Sequence, residues 1–512
     1  MIKKIGFIGL VCLLAVQFCK STQPEMGKIL FQKFHNPVFQ KLDFEEYKEV
    51  FQKVLQEHKK DLSNPDFIIK FYQNNDYNPV FVMSHLPKDN LKLLVQYYQR
   101  APEHGLQPKM FNYPKIQTLL DKFYDAGAIK STDEAYRDLA NLELLSANSL
   151  INYSNVLQFG LINPKEIYER YDIKTAQSDT VSMLKALRMQ NMQHYLDSIQ
   201  PQSKAYQKMQ QALLNAYIAP GFSAEETARI LQVNMERLRW KNRPQAAKYV
   251  WVNIPDFRLR VMDRGVPVLT MNVCVGQGRN MDLADKLESC GPADLVNDIP
   301  DSHETPQLLS EMSTVEVNPI WNIPQSIAKK EIIDQIKADP YFLANNNIQV
   351  YSKGKMVNSD EIDWNEITNE NLTYTFKQKP GGENAMGKIK FMFPNASSIY
   401  LHDTPAKAAF KKPMRAVSHG CIRLADPVGL AKTLFGPGPK LDLVLDELQE
   451  DIPSSRFISL PEKIPVFIDY ETCWLDEHGN LQFRPDVYLL DVVLYTHMQK
   501  LFQTVGGKGN ND

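Results

Sequence analysis

Cysteine is scarce in this chain: six in 512 residues, of which Cys12 and Cys19 fall in the N-terminal leader. The other four, Cys274, Cys290, Cys421 and Cys473, are too few and too far apart for the disulfide framework of a small secreted scaffold. Cys274 lies in the apolar run Leu269 to Val275 and reads as a small core residue, with a Cys274–Cys290 bridge left open. An excess of charge is lacking too. The formal net charge of −2 gives no reason to expect nucleic acid. Neither a dinucleotide-binding glycine pattern nor a P-loop is present in the N-terminal half, nor is a repeat of roughly 20 to 50 residues. A long membrane-spanning run is missing at the N-terminus: Ile5 to Phe18 is fourteen residues without a charge, short of the ~20 that span comfortably. With Lys3 and Lys4 before it and Lys20 after, residues 1–21 read as a signal peptide or short membrane anchor, so the protein is exported. Three ends are open for this leader: an uncleaved inner-membrane anchor, a lipoprotein through Cys19, or cleavage, although no small-x-small site lies near Ser21. In each case the body of the chain stands in the periplasm.

What remains is ordinary in bulk and particular in one place. With 43% hydrophobic and 23% charged residues, 512 positions suffice for two or three soluble domains. The particular place runs from Tyr400 to Pro427. There His402 is followed by fifteen residues and then by Ser418-His419-Gly420-Cys421-Ile422-Arg423. A free thiol has a pKa of about 8.5, so a nucleophilic cysteine needs an imidazole to take its proton or hold its thiolate. Both histidines are near enough in sequence. Ser398 to His402 alternates, with Ile399 and Leu401 on one face and Tyr400 and His402 on the other, which predicts a strand ending at His402 with that side chain turned away from the apolar side. Asp426 as N-cap, Pro427 as first residue and Gly436 as stop predict a helix ending at Phe435. Cys421 then lies in a tight segment before a helix, where Gly420 lets backbone approach a substrate and N–H groups could form an oxyanion hole. Zinc is the competing reading of His402, His419 and Cys421. A structural zinc site takes four ligands, and no C-x-x-C or H-x-x-x-H partner lies nearby, so no metal and no cofactor are expected.

From Thr22 to Ala224 the pattern is mainly helical, with runs such as Ala135 to Val156 and Thr180 to Ile199 carrying apolar residues at three-to-four spacing. At Ala246 the character turns to β. Tyr249 to Ile254, Phe257 to Asp263, Val268 to Val275 and Val315 to Val317 are rich in β-branched and aromatic residues, with Asp263-Arg264-Gly265 as a hairpin turn. Ser326 to Tyr374 reads as an insertion, helical over Ile327 to Ala338 and then a strand pair near Val350-Tyr351 and Met356. Gly506 to Asp512 reads as a disordered tail.

The His402 to Arg423 pattern resembles the signature of L,D-transpeptidases, cysteine enzymes that cross-link peptidoglycan stem peptides. Val233 to Trp240, Asn318 to Pro324, Lys379 to Gly387 and Phe391 to Asn395 resemble the large, multidomain YcbB-type branch of that family. Upstream, His104-Gly105-Leu106-Gln107-Pro108 and the stretch from Phe71-Tyr72 to Pro79 resemble its helical scaffold. The resemblance implies an α+β multidomain chain: a helical scaffold over 22–224, a β-rich YkuD-type catalytic domain over 225–448 with a substrate-capping lid at about 326–374, and a closing segment over 449–505 packed on it. It also implies that Cys421 is the nucleophile, that His402 is its base, and that Ser418, His419 and Gly420 shape the oxyanion hole. Arg423 reads as an anchor for the loop or for a substrate carboxylate, and Tyr400, Trp321 and Asn395 as substrate-binding residues, with Tyr400 and Trp321 equally readable as core aromatics.

The activity so implied is 3→3 cross-linking with release of D-Ala from a tetrapeptide stem. The partners are donor and acceptor stem peptides, with carbapenems as covalent inhibitors and membrane contact only through the N-terminal anchor. An L,D-carboxypeptidase, transfer to an outer-membrane protein's amine, an inactive peptidoglycan-binding scaffold and a cell-wall hydrolase of another fold are the alternatives. Two departures from the family stand out. Only Ile218 to Gln232 separates the scaffold from the Val233 segment, too short for the peptidoglycan-binding module common there. Gly276 and Thr305-Pro306, close together in much of the family, are separated here by 28 residues, which predicts a surface excursion over Gln277 to Glu304.

Overall fold

The computed structural model describes residues 25–278, 291, 294–301, 303–450 and 452–507. The leader, with Cys12 and Cys19, lies outside the described residues, as do Cys290 and residues 508–512 of the expected tail; Gly506 and Gly507 end the last helix, Leu490–Gly507. Among the described residues no helix is long and apolar enough to cross a membrane. The chain divides into a helical unit and a β-rich unit that interleave in sequence: residues up to 101, 108–154 and 179–198 form the first, and 102–107, 155–178 and 199 onward the second.

The first unit is built on the helix Thr132–Phe159, whose Leu139, Leu142, Leu144, Leu150 and Ile151 are all buried, together with the polar Glu143, Ser146 and Ser149. Ser131 accepts from the Glu134 N–H at its start. The helix predicted over Thr180 to Ile199 is two, Thr180–Leu187 and Met192–Ser198. Asn191 explains the break, since its side chain accepts from the His194 N–H and begins a new helix.

The second unit contains a closed barrel and two smaller sheets. Its strands are β1 (Tyr171–Asp172), β2 (Lys248–Asn253), β3 (Arg258–Asp263), β4 (Val266–Gly276), β5 (Gln307–Val317), β6 (Trp321–Ile323), β7 (Ile348–Ser352), β8 (Lys355–Val357), β9 (Thr375–Gln378), β10 (Ile389–Met392), β11 (Leu401–His402), β12 (Ala416–Ser418), β13 (Ile422–Leu424), β14 (Arg456–Asp469), β15 (Cys473–Leu475) and β16 (Leu481–Phe483). The pairing runs β5-β10-β11-β13-β4-β3-β2-β14 and returns to β5, with β1 and β12 appended. Closure leaves no long edge to aggregate. The β3–β4 hairpin turns on Arg264-Gly265, both at positive φ (49° and 83°), the conformation of the two-residue turn read from sequence. The segment expected to close the domain and pack on it contributes β14, a strand of the barrel itself. Its ladder to β5 is irregular between Ser459 and Ile464, where Pro461 needs no ladder hydrogen bond.

The insertion has a sheet and a core of its own. Strands β6-β9-β7-β8 carry it, so it extends beyond the predicted limits to Trp321 and Gln378. Ile323, Ala328, Ile332, Ile333, Ile336, Val350 and Phe376 form its core. Asn384 ties its base: the side-chain amide donates to the carbonyls of Pro319, Gln378 and Lys379 beside the Pro380-Gly381-Gly382 turn.

Candidate active site

Register alone assembles most of the site. Glu316 of β5 pairs with Lys390 of β10, Lys390 with His402 of β11, His402 with Arg423 of β13, and Arg423 with Cys274 of β4. Partners in register share a face, so these five side chains form one polar row across five strands. The alternate positions, Val315, Val317, Ile389, Phe391, Leu401, Ile422, Leu424, Val273 and Val275, are all fully buried and fill the barrel core. The Ile422 N–H bonds the Tyr400 carbonyl, extending the β11–β13 ladder by one step. Cys421 and Tyr400 therefore stand two positions along the chain from Arg423 and His402, on the same face. The strand itself is shorter than predicted, since Ser398 sits at φ 54° and only Leu401 and His402 are regular.

His402 is turned away from the apolar side, as the alternation predicts, yet it is 4% exposed: the polar face is covered. Its Nδ1 lies 2.5 Å from the Asp403 carbonyl oxygen, which can only accept, so Nδ1 carries the proton and Nε2 keeps its lone pair. Burial lowers its pKa to about 4, with the Asp403 bond opposing. Asp403 is itself fixed, taking the Lys388 N–H at 2.9 Å and the Lys407 ammonium at 2.5 Å. This backbone carbonyl is the third member of the site, and side-chain chemistry in the sequence gives no sign of it.

Cys421 is half-buried, with Sγ 3.9 Å from the Ser398 carbonyl oxygen. Burial raises its pKa; the Tyr400 backbone N–H, Lys390 and Arg423 oppose that rise. The shifts at Cys421 and His402 both favour the neutral forms, thiol and imidazole. Gly420, at φ +106°, makes the turn before it, and a Cβ there would stand 3.2 Å from Ile399 Cδ1. The loop is knotted internally: Ser418 Oγ donates to the Cys421 carbonyl at 2.6 Å and accepts from the Gly420 N–H, while Thr305 Oγ1 donates to the Gly420 carbonyl. The Ser418 hydroxyl and Gly420 N–H expected to line the oxyanion hole are engaged in this closed arrangement.

The other expected residues divide. Arg423 is half-buried and forms no ion pair among the described residues, leaving a guanidinium on the face of the thiol. Tyr400 is half-buried beneath Lys390, whose Nζ sits 4.1 Å from the ring centroid and 3.3 Å from Glu316. Asn395 is bonded within its own turn, donating to the Phe393 and Ile399 carbonyls and accepting from the Ile399 N–H, so it shapes the loop leading to Tyr400. Trp321 packs on the core of the insertion from β6. His419 reaches Glu331 of the insertion, Nε2 to Oε1 2.6 Å, and packs edge to face on His303 at 4.6 Å.

His303 and Thr305 were not singled out as site residues. They end the predicted excursion, which does return to the core: the Gly276 N–H bonds Thr305 Oγ1, and the Tyr488 hydroxyl donates to the Gly276 carbonyl. A Cβ on Gly276 would fall 1.9 Å from the His303 carbonyl oxygen, so only glycine permits this closure. The 28 residues between Gly276 and Thr305 therefore lengthen the connection without parting its ends.

A thiol, an imidazole held in one tautomer and a guanidinium thus share one face of a closed β-barrel. Residues 247–435 match the L,D-transpeptidase catalytic-domain family and residues 66–213 the scaffold-domain family, so the chain joins a helical scaffold domain to an L,D-transpeptidase catalytic domain. A Haemophilus influenzae protein provisionally named an L,D-transpeptidase is 28% identical over 326 residues. The match covers 63% of this chain and 60% of that protein's length.

Proposed function

We propose that this protein is a periplasmic peptidoglycan L,D-transpeptidase that forms 3→3 cross-links. The observation that carries the reading is the placement of Cys421 on the face of His402, whose Nδ1–H is held by the Asp403 carbonyl so that Nε2 is the basic atom. In the first half-reaction His402 Nε2 takes the thiol proton as Sγ attacks the carbonyl of the L-centre of diaminopimelate in a tetrapeptide stem. The tetrahedral intermediate expels D-Ala, which leaves as the amine with that proton, and a thioester remains. The side-chain amine of a second stem then attacks the thioester, its proton passes to His402, and the C–S bond breaks to restore the thiol. Arg423 and Lys390 put positive charge beside the thiolate and beside substrate carboxylates. The reading of residues 1–21 as an export leader supports a place on the peptidoglycan side of the inner membrane.

Incubating the protein with a disaccharide-tetrapeptide and weighing the products tests the proposal. A dimer lacking one D-Ala is expected. Tripeptide alone would make the protein an L,D-carboxypeptidase, and unchanged substrate would leave a binding scaffold.

A further inference from the structure

His419 is the one imidazole of the motif that faces the insertion. It sits on the loop between β12 and Cys421, and its hydrogen bond to Glu331 joins that loop to the 321–378 subdomain. Glu331 belongs to a five-residue π-helical turn, Ala328–Ile332, wedged between two α-helical pieces. Single π turns inside helices re-aim side chains and occur often at functional sites. Here Ala328, Ile332, Ile333 and Ile336 go into the subdomain core, while Lys330 and Glu331 are turned outward.

The far side of His419 is equally arranged. His303 packs against it edge to face, and the His303 N–H bonds Asp301 Oδ1 at 2.8 Å, with Nδ1 3.4 Å from the same oxygen. His303 is fastened to the nucleophile loop through its neighbour Thr305, which bonds the Gly420 carbonyl. The titratable groups around His419 are thus Glu331 and Lys330 on the subdomain, and His303 and Asp301 on the excursion. Burial, and then His419, lower the proton affinity of His303.

We propose that Glu331 and His303 position His419 as a latch that holds the insertion closed over Cys421. The inference rests on Cys421 being the nucleophile that the insertion covers. It makes His419 a positioning residue, separate from the proton transfer at His402. Both partners are partly exposed, 34% and 49%, so losing the bond shifts the closed population by about two- to fivefold and not by orders of magnitude. Such a latch is strong enough to bias the site and weak enough for a stem peptide to displace.

Access to the thiol reads the latch without any substrate. In the full protein, Cys421 labelling by a polyethylene-glycol maleimide and by iodoacetamide is followed by peptide mass, and the ratio of the two rates cancels the ionisation of the thiol. Glu331→Ala is expected to raise the bulky-to-small ratio about two- to fivefold over wild type at one fixed pH. His303→Ala should raise it less. A Glu331→Ala ratio equal to that of wild type would overturn the proposal. Should the product assay fail to give cross-links while these ratios move as stated, the latch stands and the assigned reaction falls.

Discussion

At the scale of single residues, the site is a neutral pair awaiting activation. A resting thiolate–imidazolium pair would alkylate at a rate nearly independent of pH above about 6, as low-pKa cysteines do. Here burial raises Cys421 and lowers His402 to about 4, so the iodoacetamide rate at Cys421 should climb through and beyond the ordinary thiol pKa of about 8.5. A plateau reached by pH 7 would show the ion pair instead. His402→Ala should lower the rate of acylation by a carbapenem 10²- to 10⁴-fold, the usual cost of losing a general base. His419→Ala should lower it far less, and the reverse order would exchange their roles. Intact mass should show no carbapenem adduct on Cys421→Ala, because Cys274 and Cys473 are buried. The sign of the stability effect follows from the same burial. Unfolded His402 takes its proton near 6.5 and folded His402 only near 4, so its contribution is present above pH 6.5 and is lost as pH falls toward 4.

The residue scale is also where sequence reading was most uneven. Cys421, His402 and Arg423 sit in a short motif whose spacing puts them on adjacent strands, and alternation alone gives the face. Asn395 and Trp321 lie in stretches that resemble the family just as well, yet one ties its own turn and the other packs on a separate core. A residue type shows what a side chain can bond, and only the fold shows which bonds are already made.

At the scale of elements, local signals were legible and distant pairings were not. The Arg264-Gly265 turn and the helix Pro427–Phe435, capped by Asp426 and stopped by Gly436, are written in neighbouring residues. The β14 ladder to β5 joins residues roughly 140 apart, and the Thr305–Gly420 bond joins loops 115 apart; no local pattern encodes either. Gly276 is where such a pairing can be tested. An added methyl would meet the His303 carbonyl at 1.9 Å and push residues 303–305 outward, taking Thr305 off Gly420. Gly276→Ala is expected to cost about 2–4 kcal/mol in a urea melt, in the range of overpacked sites. It should also slow Cys421 acylation even at temperatures where the protein stays folded. Unchanged acylation in the folded variant would show that the Thr305 contact does not hold the loop.

For the whole molecule, the interleaving of the two units decides what can be cut away. A boundary near residue 224 looks natural from the change of composition, but residues 102–107, 155–178 and 199–224 belong with the β-rich unit. Glu236 and Arg239, both 0% exposed, show why. Glu236 accepts from the backbone N–H groups of Leu161 and Ile162, and Arg239 donates to the His104 carbonyl and the Tyr206 hydroxyl. All four partners lie before residue 225, as does β1, which pairs with β5. Removing them leaves a buried ion pair without the hydrogen bonds that complete it, and breaking a buried pair costs about 3–5 kcal/mol. In a domain of this size each kcal/mol moves the midpoint by about 2–4 °C. The fragment 225–507 should therefore melt roughly 10 °C or more below the full chain, or fail to melt cooperatively, despite containing every residue of the catalytic motif. Glu236→Ala in the full chain should reproduce a large part of that loss. A fragment melting cooperatively within about 2 °C of the full protein would show that the barrel carries its own stability and that the earlier segments only decorate it.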